Sequence, residues 1–271
     1  MLTEKQSIMK LPLYQVDSFT NQIFGGNPAA VCPLEYWLPD VTLQKIAAEN
    51  NLSETAFFVP KGNDFELRWL TPATEVDLCG HATLASSHIL FELLNYKEKT
   101  IKFHTRSGVL SVERTSDGYS MNFPINTFKE TEVTPLLSRA VGVKPTHAVL
   151  GKNILMAEIG SESELRSLIP EIYTVMQVHP HGLIITAKGD KVDFVSRSFF
   201  PNLGINEDPV TGASHTLLTP YWSAKLGKSN MKAQQLSKRG GDLNCALSAD
   251  RVDIGGQAIL YLKGEIEIGS I

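Results

Sequence analysis

The chain has 271 residues, 42% of them hydrophobic and 20% charged, with a formal net charge of −4 and a pI near 6.0. These are the proportions of an ordinary soluble globular protein, and the acidic balance gives no reason to expect nucleic acid as a partner. No apolar run approaches the ~20 residues of a membrane helix, so no membrane partner is expected either.

Met1 to Lys10 is mixed polar and lacks the apolar core of a signal peptide. Leu11 to Thr20 alternates and predicts a first strand, followed by a turn at Gly25-Gly26-Asn27-Pro28 and a short strand from Ala29 to Cys32. Leu43, Ile46 and Ala47 recur at helical spacing within Thr42 to Asn50. Thr55 to Pro60 and Phe65 to Leu70 flank the turn residues Lys61-Gly62-Asn63-Asp64, a hairpin pattern. Gly80 to Leu94 predicts a buried helix, and Lys102 to Val112 and Tyr119 to Phe123 further strands. Pro124, Pro135 and Pro145 mark a linker zone. The second half then repeats strand, helix (Glu162 to Leu168), hairpin, helix (Gly212 to Lys225) and strands. Hairpins with one long helix per half predict an α+β fold, not a parallel doubly wound sheet.

The halves also match in sequence. Phe57 to Gly62 is echoed by Ile184 to Gly189 at an offset of 127, and Trp69 to Pro72 by Ser198 to Pro201 at 129. Glu75 to His81 is echoed by Glu207 to Ala213 at 132, and Arg106 to Gly108 by Arg239 to Gly241 at 133. Slowly growing offsets are the trace of a duplicated domain with small insertions. The expected domains are 1–125 and 126–271. Two similar domains enclose a cleft, and the positions where the copies disagree are the candidates for chemistry.

Each half starts a long helix at a glycine, Gly80 and Gly212. Free N–H groups and the positive end of the dipole suit a substrate carboxylate there, although tight packing of capped helices explains the glycines equally. Glu54, at the entry of an apolar strand, is either a solvated charge or a partly buried acid able to take and return a proton. At offset 127 its partner is His181. His81 is either structural or a proton shuttle, and Asp208 either complements the second helix dipole or pairs with His81 across the cleft.

Cys32, Cys79 and Cys245 are dispersed and odd in number, which predicts no disulfide framework and a reducing cytoplasm. A two-cysteine racemase is disfavoured, because Thr211 stands where a second thiol should oppose Cys79. His81 and His88 are too far apart on a helix to share a metal, and His179 with His181 lack a nearby carboxylate, so no metal is expected. No nucleotide-binding loop occurs.

Five motifs carry a family likeness: Asp17-Ser18-Phe19-Thr20, Gly26-Asn27-Pro28-Ala29-Ala30-Val31, Asn51 to Phe57, Asp77 to Thr83, and Glu207-Asp208-Pro209-Val210-Thr211-Gly212. In these the chain resembles the PhzF-like isomerases of phenazine biosynthesis, whose fold is similar to diaminopimelate epimerase. The resemblance implies two pseudo-symmetric domains, each a barrel-like, mostly antiparallel sheet around a central helix, with the active site between them and a homodimer as the assembly. It implies cofactor-free movement of a proton between carbons of a small carboxylate-bearing substrate. Glu54, His81 and Asp208 then correspond to the catalytic groups. Asn27, Ser53, Gly80, Ala82, Gly212, Ala213 and Ser214 are the expected substrate contacts. One departure is plain: Ala213 replaces the family's serine, and Ser214 follows one place later, turned by about 100° on a helix. An amino-acid racemase of the same architecture and a binding protein without turnover are the alternatives.

Overall fold

The computed structural model describes residues 8–269, so the first seven residues of the stretch read for a leader lie outside the described residues. In the first half, β1 (Met9–Ser18) pairs antiparallel with β2 (Asn27–Pro33). Helix α1 (Asp40–Asn50) then carries the chain back so that β3 (Thr55–Lys61) runs parallel to β2. Leu43, Ile46 and Ala47 form the buried face of α1, which ends at Asn51 in the left-handed conformation. Next come β4 (Asp64–Leu70), the two-residue β5 (Glu75–Val76), and α2 (Gly80–His88), which a π turn extends to Leu93. β6 (Thr100–Thr105) lies parallel to β4, and β7 (Gly108–Thr115) and β8 (Gly118–Pro124) complete the half.

The second half opens with β9 (Phe128–Glu130), α3 (Pro135–Val141), β10 (His147–Gly151) and β11 (Leu155–Glu158). Two short helices, α4 (Glu162–Ser167) and α5 (Ile172–Val178), occupy the place of α1 and lead to β12 (Leu183–Lys188), parallel to β11. β13 (Phe194–Phe200), β14 (Ile205–Asp208), α6 (Gly212–Leu226), β15 (Asn230–Gln235), β16 (Gly241–Ser248), β17 (Arg251–Gly256) and β18 (Ala258–Ile268) follow.

Pairing follows β1-β2-β3-β4-β6-β7-β8 in one half and β10-β11-β12-β13-β15-β16-β17 in the other, with matching parallel and antiparallel steps. The fold is α+β, with two pseudo-symmetric sheets each wrapped about one helix. β8 and β17 pair and join the halves. After β8 the chain donates β9 to β10, and after β17 it returns β18 to β1. The central helices are buried: His81 to Ser87 of α2 lie against Val16, Val31 and Phe103, and Leu217, Leu218 and Trp222 of α6 belong to the same continuous core. Each such large apolar side chain contributes about 1.5–3 kcal/mol by leaving water.

Three local readings change. The stretch 102–112 is a hairpin, because Gly108 takes a φ of 100° and the Thr105 hydroxyl closes the turn onto the Gly108 carbonyl at 2.7 Å. The proline-marked linker zone contains β9 and α3: Pro135 sits in the first turn of α3, where its missing N–H costs nothing. Finally, Ala30 and Leu155 donate their amides to the carbonyls of Glu54 and Gly182 in equivalent parallel steps. The counterpart of Glu54 is therefore Gly182, one residue beyond His181.

Candidate active site

The two central helices meet head to head. A methyl group built on Gly80 would lie 3.6 Å from the Cα of Gly212, and one built on Gly212 would lie 3.7 Å from the Cα of Gly80. Two positive helix ends thus converge on one point between the halves, a field that favours negative charge there. Glu54 and Asp208 supply it from opposite sides, one at the entry of β3 and the other at the end of β14.

Glu54, His81 and Asp208 are 9%, 6% and 8% exposed, so all three ionisable groups lie in a largely water-excluded setting. His81 Nε2 faces Glu54 Oε2 at 3.2 Å, within ion-pair reach but out of line for a hydrogen bond. The Cys79 thiol lies 3.5 Å from the other ring nitrogen, Nδ1. Across the junction, Asn27 spends its two amide hydrogens on Asp208 Oδ1 at 2.7 Å and the Val210 carbonyl at 2.9 Å. The Thr211 hydroxyl donates to the other oxygen of Asp208. Gln235, fully buried, fixes this corner. It accepts from the Thr211 amide at 2.9 Å and donates to the Asp208 carbonyl at 2.8 Å and the Thr211 hydroxyl at 3.1 Å. On the other side, Ser18 donates to the His81 carbonyl at 2.8 Å.

These surroundings push the two carboxyl groups apart. Burial alone raises Glu54, but the charge of His81, with hydrogen bonds from Ser53 and Cys79, outweighs it and holds Glu54 below the usual carboxylate range. Burial lowers His81, yet the neighbouring Cys79 and Glu54 carry it well above an ordinary imidazole. Burial raises Asp208 to about 6, against the pull of His81, Thr211 and Asn27. Cys79 is raised, first by burial and then by Glu54, and is a neutral thiol.

Comparing the halves separates scaffold from site. Arg68 grips Glu75 through two hydrogen bonds of 2.8 and 2.6 Å, and Arg197 grips Glu207 likewise at 2.7 and 2.9 Å. Ser107 donates to the Asp77 carbonyl at 2.7 Å, and Ser237 to that of Pro209 at 2.8 Å. Thr83 bonds back to the Cys79 carbonyl, and His215 repeats that bond to Thr211 at 2.8 Å. Burial lowers His215 to about 4, so it is a neutral structural donor. None of the site groups has such a twin. Gly182 stands opposite Glu54, Ala213 opposite His81 and, because Trp69 pairs with Val76 as Ser198 pairs with Asp208, Val76 stands opposite Asp208.

Of the expected contacts, Asn27 joins this cluster directly, Ser53 and Gly80 border it, and Ala82 is wholly buried. Ala213 is exposed at the start of α6, and the Ser214 hydroxyl is engaged with Ser198 at 3.0 Å. His181 lies exposed beside His179, outside the cluster. Sequence reasoning overlooked Gln235, whose counterpart strand position carries no amide and whose partners are 24 and 27 residues away. It also set metals aside on histidine pairs alone. Yet Glu54, Cys79 and His81 offer three ligand atoms within 4.8 Å of one another. Among the described residues no helix is long and apolar enough to cross a membrane.

A profile of the phenazine biosynthesis-like (PhzC-PhzF) family matches residues 16–264. An uncharacterized isomerase of Pseudomonas aeruginosa is 44% identical over 260 residues, covering 96% of this chain and 100% of its own. Another from Halalkalibacterium halodurans is 46% identical over 263 residues, covering 96% and 99%. The crystal structure of a PhzF-family protein from Enterococcus faecalis superimposes with a TM-score of 0.93 at 45% identity, over 95% of this chain and 99% of that one.

Proposed function

The chain belongs to the phenazine biosynthesis-like PhzC-PhzF family and is an isomerase, and from that premise we propose that Glu54 moves a proton between two carbons of a small carboxylate-bearing metabolite. One observation carries this reading: the two buried carboxyl groups face one junction with their proton affinities split in opposite directions. Such a split assigns base and acid.

Glu54, ionised at neutral pH, takes the proton from a carbon conjugated to the substrate's carboxyl or carbonyl group. The electron pair moves into the conjugated system, and negative charge develops on its oxygen. The amides at the starts of α2 and α6 stabilise that oxygen, joined below about pH 6 by the proton of Asp208. Protonated Glu54 then returns the proton to the second carbon, restoring its own charge, with no net oxidation. His81, held cationic, keeps Glu54 ionised before the reaction and aligned during it. The racemase alternative lacks a second thiol, since Thr211 occupies that place and spends its hydroxyl on Asp208.

The test is exchange with deuterated water, followed by mass spectrometry, over a panel of small unsaturated carboxylates. Positioned acid–base catalysis is worth roughly 10²–10⁴-fold, so Glu54→Gln should lose at least that order of exchange while staying folded. Undiminished exchange in that variant would sink the mechanism. No exchange with any panel member in the unaltered protein would favour the binding-protein reading. The expected homodimer is a separate matter for sedimentation.

A further inference from the structure

We propose that Glu54, Cys79 and His81 form an inhibitory site for a borderline-soft divalent cation of the Zn²⁺ type. The three are a carboxylate, a thiol and an imidazole, the donor set that zinc prefers over harder cations. Their ligand atoms lie within 4.8 Å of one another, and all three residues are buried. Glu54 Oε2 lies 3.2 Å from His81 Nε2, close to the spacing of neighbouring ligands of one tetrahedral ion, with the thiol completing the group. A second observation is independent of the cysteine. Among the described residues, His81 Nε2 and Glu54 Oε2 have no hydrogen-bond partner although they are buried and face each other. With no hydrogen bond to give up, both atoms can turn to a cation in place of their mutual ion-pair contact.

The charges balance. Binding releases two protons to solvent, one from the thiol and one from the imidazolium, and Glu54 is already ionised. A dication with one thiolate, one carboxylate and one neutral imidazole leaves the junction without net charge. Cys32 and Cys245 are outside the group of ligand atoms that lie within 4.8 Å of one another. Binding rests on geometry alone. Inhibition rests on the reading of Glu54 as the base, because the ion would hold the lone pair that takes the proton.

Co²⁺ and Zn²⁺ added to the metal-free full chain test it. The expected result is one Co²⁺ per chain with a thiolate-to-cobalt charge-transfer absorption, displaced by Zn²⁺. Cys79→Ser should abolish that absorption and weaken Zn²⁺ more than about 100-fold, beyond the loss expected for an outer-shell partner. Cys245→Ser should leave both unchanged. Circular dichroism checks that the variants are folded, and Glu54→Gln gives a second route to weakened binding. In activity, Zn²⁺ should suppress proton exchange by the unaltered protein, and a chelator should restore it. A charge-transfer band that survives Cys79→Ser, or no binding at micromolar metal, overturns the site. Binding with the band present but exchange unimpaired overturns the inhibition and, with it, the role given to Glu54.

Discussion

Asp208 carries a stability cost that its replacement should expose. Burial raises its carboxyl from an ordinary 3.8 to about 6 in the folded protein. The folded state therefore holds the proton more tightly than the unfolded one. The stability this contributes is complete below the unfolded value and is lost as pH rises through about 6. A displacement of roughly two units corresponds to about 3 kcal/mol at pH 8. Asp208→Asn removes the titration and keeps the shape. Its oxygen can still accept from Asn27, and its amide can donate to the Thr211 hydroxyl, which turns to accept. The assay is urea or thermal unfolding of both proteins at pH 4 and pH 8. At pH 4 they should differ by no more than about 1 kcal/mol, the worth of one altered hydrogen bond. At pH 8 the variant should be the more stable by up to about 3 kcal/mol, or roughly 5–10 °C in Tm, and should be impaired in exchange. Glu54 and His81 are charge-coupled to Asp208, so unfolding is also followed at intermediate pH, where the change should centre on about 6. A gap that does not change with pH, or a variant less stable at pH 8, would refute the reasoning.

Scaffold and site should also separate in kinetics. Arg197→Met leaves Glu207 without its partner and frees the carbonyls of Leu165 and Leu168. It should cost about 2–4 kcal/mol in chemical unfolding, with exchange per folded molecule unchanged. At Gly182 an added methyl would come within 2.5 Å of the Phe199 carbonyl and 2.6 Å of the Phe200 ring. Gly182→Ala should therefore lower stability by about 1–3 kcal/mol, measured the same way.

Much of this was legible before any coordinates, and the failures have physical causes. The hairpin from Thr55 to Leu70 and the helix starting at Gly80 are governed by local turn chemistry and apolar spacing, so they form where the residues indicate. The exchange of β9 and β18 between the halves is invisible locally. β18 meets β1 about 250 residues away, and nothing in its own pattern names that partner. The hairpin at Gly108 was hidden because Arg106-Ser107 is not a strong turn pair, and only the positive φ of the glycine reveals it. Glu54 was visible as a lone carboxylate at the entry of an apolar strand, and His81 and Asp208 by their places at the two helix starts. What the residues did not fix is the geometry of their convergence, which includes Asn27 reaching a carboxylate 181 residues further along the chain.

The duplication supplies a criterion that neither half contains alone. Where one bond occurs twice, as in Arg68 to Glu75 and Arg197 to Glu207, it serves a geometry that both halves need, and chemistry would require only one copy. Where a buried ionisable group has glycine, alanine or valine as its twin, the fold has already demonstrated that it closes without that group. Glu54 and Asp208 are dispensable to the architecture in this sense, yet they remain buried beside two positive helix ends. Those ends face each other because Gly80 and Gly212 leave no side chain between them, and their mutual repulsion must be offset. Below about pH 6, where Asp208 is protonated, Glu54 offsets it incompletely, which leaves room for the negative charge of a substrate. If both carboxyls were ionised beside each other, the junction would be satisfied and would repel an anionic ligand. On the proposed mechanism, the junction would therefore accept an anionic substrate more readily below about pH 6, with the proton on Asp208, than with both carboxyls ionised.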